Sequence, residues 1–401
     1  MSKESKYTTG QNVFFKHQAQ TTPFANGMEI SHAEGMYIYD VNNQKYIDLV
    51  AGVSACTLGH SHPAIVQSVN EQMQRYAHVM VYGEFVQEKS IELCELLSEL
   101  LPRKLNCTYL TNSGTEAIEA SLKLAKRITG RQKIVSMNNA YHGSTHGSLS
   151  VSGYEKRKRR YRPLLPNIFQ INFNSKNDLS IIDNDTACLI MEPIQGGAGF
   201  ISANDEYLKE IRKLCDRHNV ILIFDELQTG IGRTGKMFAF ENYKIVPDIL
   251  VIGKALGGGF PIGALISDRK LLSKFISNPE LGHITTFGGH PVIASAGLKT
   301  LQIILREKLH LKTIEKEKIF RDRLKHELIE EIRGSGLMLC LIMKNSSIAS
   351  QLVSESLNKG LILFFLLYEK RAVRITPPLT ISENEINQGC DIIIQCLKKI
   401  N

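Results

Sequence analysis

The middle of this 401-residue chain alternates short apolar runs with segments of helical period, and this alternation constrains the fold most strongly. The strand-like runs CTYLT, KIVSMN, ACLIMEP, VILIFDE and DILVIGK are interspersed with the helix-like segments TEAIEASLKLAKRI and NDEYLKEIRKLCDRHN. Strands that alternate with helices form mostly parallel sheets covered on both faces. The sequence therefore predicts an α/β fold with a large domain built on a mostly parallel sheet.

The two ends of the chain have a different pattern. Past Pro291 we expect long amphipathic helices, notably KTIEKEKIFRDRLKHELIEEIRG, and then the short strands GLMLCLIMK, LILFFLL and AVRIT. Near the other end, YIYDVNNQKYIDL alternates like a hairpin around Asn42 and Asn43. We interpret residues 48–292 as the large domain, and residues 1–47 plus 293–401 as a smaller α+β domain.

Composition narrows the class of protein. The chain is 43% apolar and has a net charge of +8. The positive charge indicates an anionic ligand, which is a small molecule or, as the weaker reading, nucleic acid, because positive potential attracts both. The longest apolar run, LILFFLLY, is far below the roughly 20 residues that a membrane-spanning helix needs. Eight scattered cysteines without a C-x-x-C pair indicate free, mostly buried thiols. We expect a cytoplasmic protein with no membrane partner.

The stretch ILIFDELQTGIGRTGK contains two incomplete nucleotide-binding patterns. Gly230, Gly232 and Gly235 match G-x-G-x-x-G, but DELQT separates them from the preceding strand, which the dinucleotide motif does not allow. The same loop lacks the final hydroxyl of a phosphate-binding G-x-x-x-x-G-K-[ST], because Met237 follows Lys236. Neither pattern predicts a nucleotide site.

Two charged residues end two apolar strands of the predicted sheet. Asp225 closes VILIF, and Lys254 closes DILVIG before a glycine-rich turn. The carboxyl ends of parallel strands are where α/β folds bind ligands, and a buried carboxylate needs a cationic partner. Taken alone, the two residues fit an ordinary salt bridge equally well.

The surrounding residues resemble a known family. FDELQTGIGRTGKMFAFENYKIVPDILVIGKALGGGFPIGA is similar to the cofactor signature of class III, fold type I, pyridoxal-phosphate-dependent aminotransferases. The resemblance continues, in order, through TNSGTEAIEASLKLAK, AYHGST, EPIQGGAG, TTFGGHP and VRITPPLT. It implies pyridoxal 5'-phosphate as cofactor, with Lys254 as the residue that binds it covalently and Asp225 as the partner of its pyridine nitrogen.

The same resemblance implies roles for further residues. The cofactor-binding set comprises Ser113, Gly114 and Thr115 at the phosphate, Tyr141 on the ring, Glu192, and Gln228 near the phenolic oxygen. Thr286 would reach the phosphate of a neighbouring subunit, which implies a homodimer with shared active sites. Arg374 would bind a substrate carboxylate.

Read without the family, NSGTE is equally a helix cap. No metal is expected, because His60 and His62 lack a third ligand.

Ser144 and Gly197 depart from the ornithine, acetylornithine and 4-aminobutyrate branches, which carry Arg and Glu there, so transfer from an ω-amino acid is in doubt. Glu84 also differs from the family pattern; it is either a surface residue or faces a cationic group on the substrate. The basic run KRKRRYR, residues 156–162, is read as a solvated loop, a patch that steers anionic substrates, or a nucleic-acid patch.

The function predicted is amino-group transfer from an amino acid or amine, acetylornithine-like and ornithine-like donors included, to a 2-oxo acid such as 2-oxoglutarate. One alternative is another activity of the same cofactor, such as that of a racemase, aminomutase or decarboxylase. The other is a nucleotide- or nucleic-acid-binding protein that uses residues 230–236 and the basic run. We expect small-molecule substrates and no nucleic-acid partner.

Overall fold

The computed structural model describes residues 8–400. The strands are β1 (Ile30–Glu34), β2 (Tyr37–Asp40), β3 (Lys45–Asp48), β4 (Cys107–Thr111), β5 (Lys133–Met137), β6 (Ile168–Ile171), β7 (Thr186–Met191), β8 (Ile194–Gln195), β9 (Ile201–Ser202), β10 (Ile221–Asp225), β11 (Ile249–Gly253), β12 (Gly263–Ser267), β13 (Ile329–Ser335), β14 (Met338–Met343), β15 (Leu361–Ile362), β16 (Phe364–Phe365) and β17 (Ala372–Ile375). The helices are α1 (Thr9–His17), α2 (Ala51–Ser54), α3 (Pro63–Arg75), α4 (Glu88–Leu100), α5 (Gly114–Thr129), α6 (His146–Val151), α7 (Glu155–Lys158), α8 (Asp205–His218), α9 (Phe240–Tyr243), α10 (Arg269–Leu272), α11 (Pro291–Arg306), α12 (Thr313–Arg323), α13 (Ser346–Asn358) and α14 (Glu383–Leu397).

A seven-stranded sheet in the order β4-β12-β11-β10-β7-β5-β6 forms the centre of the molecule. All neighbours pair in parallel except β12, which runs antiparallel to β11 and β4. Strands β7, β10 and β11 are buried along their whole length, as expected of parallel strands covered on both faces. The predicted α/β fold with a mostly parallel sheet is confirmed.

The two faces of this sheet pack into separate apolar clusters. Ile223 and Val251 belong to a cluster with the buried face of α5. Their neighbours Leu222 and Leu250 belong to a larger cluster that contains Leu208 of α8. Successive residues of a strand point to opposite faces. This alternation explains why these strands read as continuous apolar runs in the sequence.

Two four-stranded sheets lie outside the large one, in addition to the two-stranded pair β8-β9. The predicted hairpin forms as β2 and β3, with Asn43 in the turn at φ 60°. Leu361 of β15 then pairs in parallel with Ile47 of β3, so the N-terminal hairpin and a C-terminal strand share one sheet, ordered β1-β2-β3-β15. The other sheet has the order β13-β14-β17-β16. The division into domains at residues 48 and 292 stays a prediction.

The long helix predicted for KTIEKEKIFRDRLKHELIEEIRG is wrong in its second half. Helix α12 ends at Arg323, and Leu324 leaves the helical region at φ −90° and ψ 63°. After a short irregular stretch, the segment from Ile329 onward forms β13, which pairs antiparallel with the buried strand β14 across a turn at Gly336, whose φ is 61°. Pairing with an apolar neighbouring strand outweighs the helical period of this polar segment.

LILFFLL, predicted as one strand, divides between the two four-stranded sheets. Leu361 and Ile362 pair with β3, whereas Phe364 and Phe365 pair with β17.

The basic run of residues 156–162 is also not a plain solvated loop. It forms the end of α7 and a 3-10 turn, and Lys158 is buried and donates to the carbonyl oxygens of Ser150 and Ser152. A buried lysine is tolerated only with such acceptors.

Two further features bear on the predictions from composition. All eight cysteines are free, and five of them are buried. Within residues 8–400, no helix is long and apolar enough to cross a membrane.

Candidate active site

Lys254 immediately follows β11, at the carboxyl edge of the large sheet. Its φ is 42°, in the left-handed region that non-glycine residues rarely adopt, so the surrounding structure must hold it there. An ideal Cβ on the preceding Gly253 would lie 2.7 Å from Leu227 Cδ2 and 2.8 Å from the Ile262 carbonyl oxygen. The close packing behind this position fixes where the Lys254 side chain begins.

The Lys254 amine lies in an environment that favours its neutral form. Burial lowers its pKa, although the carboxylates of Asp225 and Glu192 act in the opposite direction and Arg374 adds to the lowering. A lysine amine must lose its proton before it can act as a nucleophile or a base. Burial therefore prepares Lys254 for chemistry that an exposed lysine would perform poorly at neutral pH.

Asp225 ends the neighbouring strand β10 and is 3% exposed. Its Oδ2 lies 2.7 Å from Nδ1 of His142, and its Oδ1 accepts a hydrogen bond from the backbone N–H of Leu227 at 3.0 Å. His142 is itself 1% exposed, and its Nε2 has no hydrogen-bond partner among residues 8–400. The sequence did not single out His142. The signal available was its place beside Tyr141 in the YHG motif.

Glu192 organises the loops around these two strands. One carboxylate oxygen accepts from the backbone N–H of Tyr141 at 3.1 Å, and the other accepts from that of Gly196 at 2.9 Å. Burial and the nearby Asp225 raise the pKa of Glu192, while His142 and the two backbone donors oppose that shift. The carboxyl group thus connects the segment that bears Tyr141 with the glycines after β8.

Gln228 contacts a strained turn. Its Nε2 donates to Ser54 Oγ at 3.4 Å, and its Oε1 lies 2.6 Å from where a Cβ on Gly196 would stand. Ser54 ends α2, in which all four residues have positive φ, including the β-branched Val53 at 61°. This element is a left-handed turn, which costs an L-residue about 1–2 kcal/mol per position. Val53 and Gln228 both reach the pocket described next.

These side chains line one cavity of about 250 Å³. It brings together six residues that the sequence predicted for the site: Tyr141, Glu192, Asp225, Gln228, Lys254 and Arg374. The other lining residues are mostly apolar or small: Val53, Ile194, Gly196, Gly197, Leu227, Thr229, Phe364, Phe365 and Leu367. A cavity with convergent charged groups among apolar walls is typical of a small-molecule site.

Ser113, Gly114 and Thr115 lie just outside this lining, at the start of α5. Ser113 caps the helix by accepting from the backbone N–H of Glu116 at 3.4 Å. A Cβ on Gly114 would stand 2.5 Å from Cδ2 of Leu227, which lines the cavity. The first turn of a 16-residue helix offers unpaired N–H groups and positive potential to an anion. The cap and an anion site are therefore compatible functions of this turn.

Thr286 is not part of the cavity lining in this single chain. It is exposed, whereas the neighbouring Thr285 accepts a hydrogen bond from the side-chain amide of Asn112 at 2.6 Å. The segment is thus anchored beside the start of α5 while Thr286 itself points away from the protein interior.

Arg374 lies on β17 and is 5% exposed. Its Nε and Nη1 have no hydrogen-bond partner among residues 8–400, and burial lowers its pKa to about 10. The acids that line the cavity are already engaged, Glu192 by two backbone N–H groups and Asp225 by His142. An unpaired buried guanidinium is costly, and a carboxylate is its natural partner. Arg374 could therefore bind a substrate carboxylate.

The positions that depart from the family pattern are now placed. Ser144 Oγ lies 3.4 Å from the Tyr141 hydroxyl, Gly197 lines the cavity, and Glu84 is exposed on this chain. His60, considered above as a metal ligand, instead binds Asp48 Oδ2 at 2.9 Å. The imidazole is occupied by that ion pair.

The glycine loop that resembled a nucleotide motif is packed into the protein. A Cβ on Gly232 would stand 2.9 Å from His310 Cβ, and one on Gly235 would stand 2.6 Å from Ile314 Cδ1. Both glycines have positive φ, at 85° and 95°. The spacing of these glycines is explained by close packing and turn conformation.

Comparison with known proteins shows the family to which the chain belongs. The family model described as aminotransferase class-III matches residues 18–397. The acetylornithine aminotransferase of Clostridium acetobutylicum is 36% identical over 378 residues, which cover 91% of this chain and 95% of that protein. A putative [LysW]-aminoadipate semialdehyde/glutamate semialdehyde transaminase of Pyrococcus furiosus is 38% identical over 366 residues, 90% of this chain and 94% of its own.

Among solved structures, the ornithine aminotransferase of Toxoplasma gondii ME49 matches with a TM-score of 0.90 and 28% identity, covering 98% of this chain and 96% of its own. The chain therefore belongs to the class III aminotransferases and has the fold type I architecture. It is an enzyme that transfers amino groups, and its family implies pyridoxal phosphate as cofactor.

Proposed function

We propose that this enzyme binds pyridoxal 5'-phosphate in the cavity at Lys254, and that Lys254 and Asp225 are its catalytic residues. The observation that carries the proposal is the convergence of a pKa-lowered lysine and a buried, histidine-paired aspartate in one cavity. Two charged residues at adjacent strand ends fit a salt bridge as well. The apolar walls, the orphan Arg374 and the family match favour a cofactor site instead.

The donor set fits that cofactor. Asp225 and His142 offer a buried anionic pair for a protonated ring nitrogen, and Tyr141 offers an aromatic face. Gln228 offers an amide to a phenolic oxygen. The start of α5, with the residues Ser113, Gly114 and Thr115, offers backbone N–H groups and hydroxyls to a phosphate.

When bound, pyridoxal phosphate supplies an electron sink for the carbanion left by removal of a substrate proton. Lys254 Nζ moves that proton, because it is the amine in the cavity whose pKa is lowered by burial. Asp225, held in place by its contact with His142, would stabilise the protonated ring nitrogen of the cofactor. Arg374 orients the substrate through its carboxylate. The apolar walls exclude water, which strengthens these charge interactions.

The reaction proposed is transfer of an amino group from an amino acid or amine to a 2-oxo acid such as 2-oxoglutarate. Relatives that are named acetylornithine aminotransferase, at 36% identity, support acetylornithine-like and ornithine-like donors. Ser144 and Gly197 stand where the ornithine, acetylornithine and 4-aminobutyrate branches carry Arg and Glu. They count against assigning the donors of those branches to this enzyme unchanged.

We further propose a cytoplasmic homodimer in which Thr286 of each subunit reaches the cofactor phosphate of the other. Exposure of Thr286 beside the anchored Thr285 supports a role at an interface. Eight free cysteines support a reducing compartment. The division into a domain of residues 48–292 and one of residues 1–47 plus 293–401 belongs to the same proposal.

The visible absorption spectrum of the purified protein tests the function. We expect a cofactor band that changes when a suitable donor is added and returns on addition of 2-oxoglutarate or pyruvate. Lys254→Ala, the matched variant, should not show that cycle. A band that persists while a donor racemises or decarboxylates would establish one of the alternative activities. No band after addition of pyridoxal phosphate would overturn the proposal.

A further inference from the structure

Gly197 lines the cavity, and one aromatic ring lies directly against it. An ideal Cβ on Gly197 would lie 2.7 Å from Cε2 and 2.8 Å from Cδ2 of Tyr368. The backbone of Gly197 is not in the left-handed region, so its conformation alone would accept any residue. The ring of Tyr368, rather than the backbone, excludes a side chain at this position.

Tyr368 is held in this position from several sides. Its backbone N–H donates to the Gly197 carbonyl oxygen at 2.9 Å. Its ring stacks on Tyr154, with centroids 4.4 Å apart and an interplanar angle of 20°. The Arg157 guanidinium carbon lies 5.7 Å from the centroid of the same ring. Stacking and a cation over the ring face each favour one orientation of an aromatic side chain.

The chemistry of this ring suits a wall rather than an acid or base. Burial raises the pKa of the Tyr368 phenol, Glu192 adds to the shift, and the nearby Arg157 only partly opposes them. The phenol is therefore neutral at physiological pH. Tyr368 also directly follows Leu367, which lines the cavity with Phe364 and Phe365. Tyr368 is not itself a lining residue; its ring reaches the boundary of the cavity through its contact with Gly197, which does line it.

We infer that Tyr368 is a specificity-determining residue that limits the size of the substrate group placed beside Gly197, and that Arg157 is a positioning residue for its ring. This inference rests on the proposed function of the cavity. It gives Arg157, in the basic run of residues 156–162, a role in substrate choice. Donors with a small group on the Gly197 side are accepted, and bulky or aromatic groups there are excluded.

The contact itself is tested first, without activity. Unfolding midpoints in urea are compared for the wild-type chain, Gly197→Ala, Tyr368→Ala and the double variant. We expect Gly197→Ala to lower the midpoint in the wild-type background and to leave it unchanged in the Tyr368→Ala background, because the ring is then gone. Equal effects in both backgrounds would show that Tyr368 does not restrict residue 197.

Selectivity is tested next, as the ratio of kcat/KM for phenylalanine to that for alanine, with 2-oxoglutarate as acceptor. Tyr368→Ala should raise the ratio by about 10-fold or more, in the range expected when a few carbons no longer clash. Tyr368→Phe, which keeps the ring, should leave the ratio unchanged. A ratio in Tyr368→Ala equal to that of the wild-type enzyme would overturn the inference.

Arg157 is examined through the same ratio. Arg157→Ala should raise it by a smaller factor, mainly by lowering KM for phenylalanine, while Arg157→Lys keeps a cation and should restore the wild-type ratio. Arg159→Ala, an exposed arginine of the same run, is the matched control and should change nothing. Equal changes in the Arg157 and Arg159 variants would show that the basic run acts only through its general charge and that Arg157 does not position the Tyr368 ring. Absence of amino transfer from every donor would instead refute the proposed function, while the unfolding cycle would still test the contact.

Discussion

Asp225 and His142 depend on each other, because both are almost fully buried and Oδ2 of the one lies 2.7 Å from Nδ1 of the other. The aspartate was predictable, since a carboxylate at the end of the strand VILIF needs a partner. The identity of the partner was not, because His142 is 83 residues away in the chain. Only the fold brings the YHG motif next to the end of β10, where Asp225 lies.

His142→Ala should therefore lower kcat without unfolding the protein. The variant leaves the Asp225 carboxylate with its backbone donor but without its side-chain partner. Loss of a hydrogen bond to a charged group costs about 1.5–3 kcal/mol, which corresponds to a decrease of about 10- to 160-fold. Steady-state kinetics with a donor that the wild-type enzyme uses measures this decrease, with circular dichroism as the folding control. An unchanged kcat would show that the pair is dispensable for catalysis.

His60 and Asp48 form a second pair, in which Asp48 is buried and His60 partly buried, close to the left-handed turn of α2. Asp48 Oδ1 accepts from the backbone N–H groups of Val50 and Ala51, while its Oδ2 binds His60. Asp48, with a further contribution from Cys56, raises the pKa of His60 to about 9, although burial opposes the shift. The protonated imidazole thus fixes the carboxylate that begins the strained turn.

The contribution of this pair to stability should depend on pH with a defined sign. Because the pKa of His60 is raised on folding, its stabilisation is fully present below the ordinary value of 6.5 and is lost as pH rises through about 9. The difference in unfolding free energy between the wild-type chain and His60→Gln should therefore shrink between pH 6 and pH 10. His17→Gln, at an exposed histidine, is the control. A difference that stays constant over this range contradicts the prediction.

At the scale of elements, α5 connects the candidate phosphate site to the core. Ser113 caps its first turn, its buried face packs on the large sheet, and Gly130 caps its C-terminal end. Gly130 has a φ of 69°, and a Cβ there would meet nothing within 4 Å. The requirement for glycine at this helix end is thus conformational and not steric.

Gly130→Ala should lower the free energy of unfolding by about 1 kcal/mol, because an L-residue is strained in the left-handed region. Gly130→Asn should cost less, since asparagine tolerates that conformation. Urea denaturation of the two variants measures the difference, while kcat should stay close to that of the wild-type enzyme. Equal stability of Gly130→Ala and the wild-type chain would show that this helix end relaxes freely.

Five strands of the large sheet and the helices α5 and α8 were predicted, because each strand is a short apolar run and each helix has a strong helical period, whereas β6 and β12 were not predicted. β7, β10 and β11 are uniformly apolar, and α8 presents apolar residues at helical spacing between charged ones. The segment after Arg323 was wrongly predicted as a helix, because ELIEEIRG has both helical period and strand-forming residues. Its state is decided by β14, the strand that it pairs with.

At the scale of the whole molecule, a shared active site makes a prediction that a single chain cannot test. If Thr286 acts in the partner's site, subunits with Lys254→Ala and subunits with Thr286→Ala should complement each other. A mixed dimer then contains one site with both Lys254 and a partner Thr286 intact. Activity after co-refolding should exceed that of either variant alone. No gain on mixing would place Thr286 outside the partner's site.

The sequence by itself determined the α/β fold class, the strands that end at Asp225 and Lys254, and the family. Those features come from apolar periodicity and from short motifs, both of which are local in the chain. Only the tertiary structure decided that His142 pairs with Asp225, that two guanidinium nitrogens of Arg374 have no hydrogen-bond partner among the described residues, and that Tyr368 fills the space beside Gly197. Such contacts join residues far apart in sequence, and packing between distant segments leaves no periodic pattern from which they could be predicted.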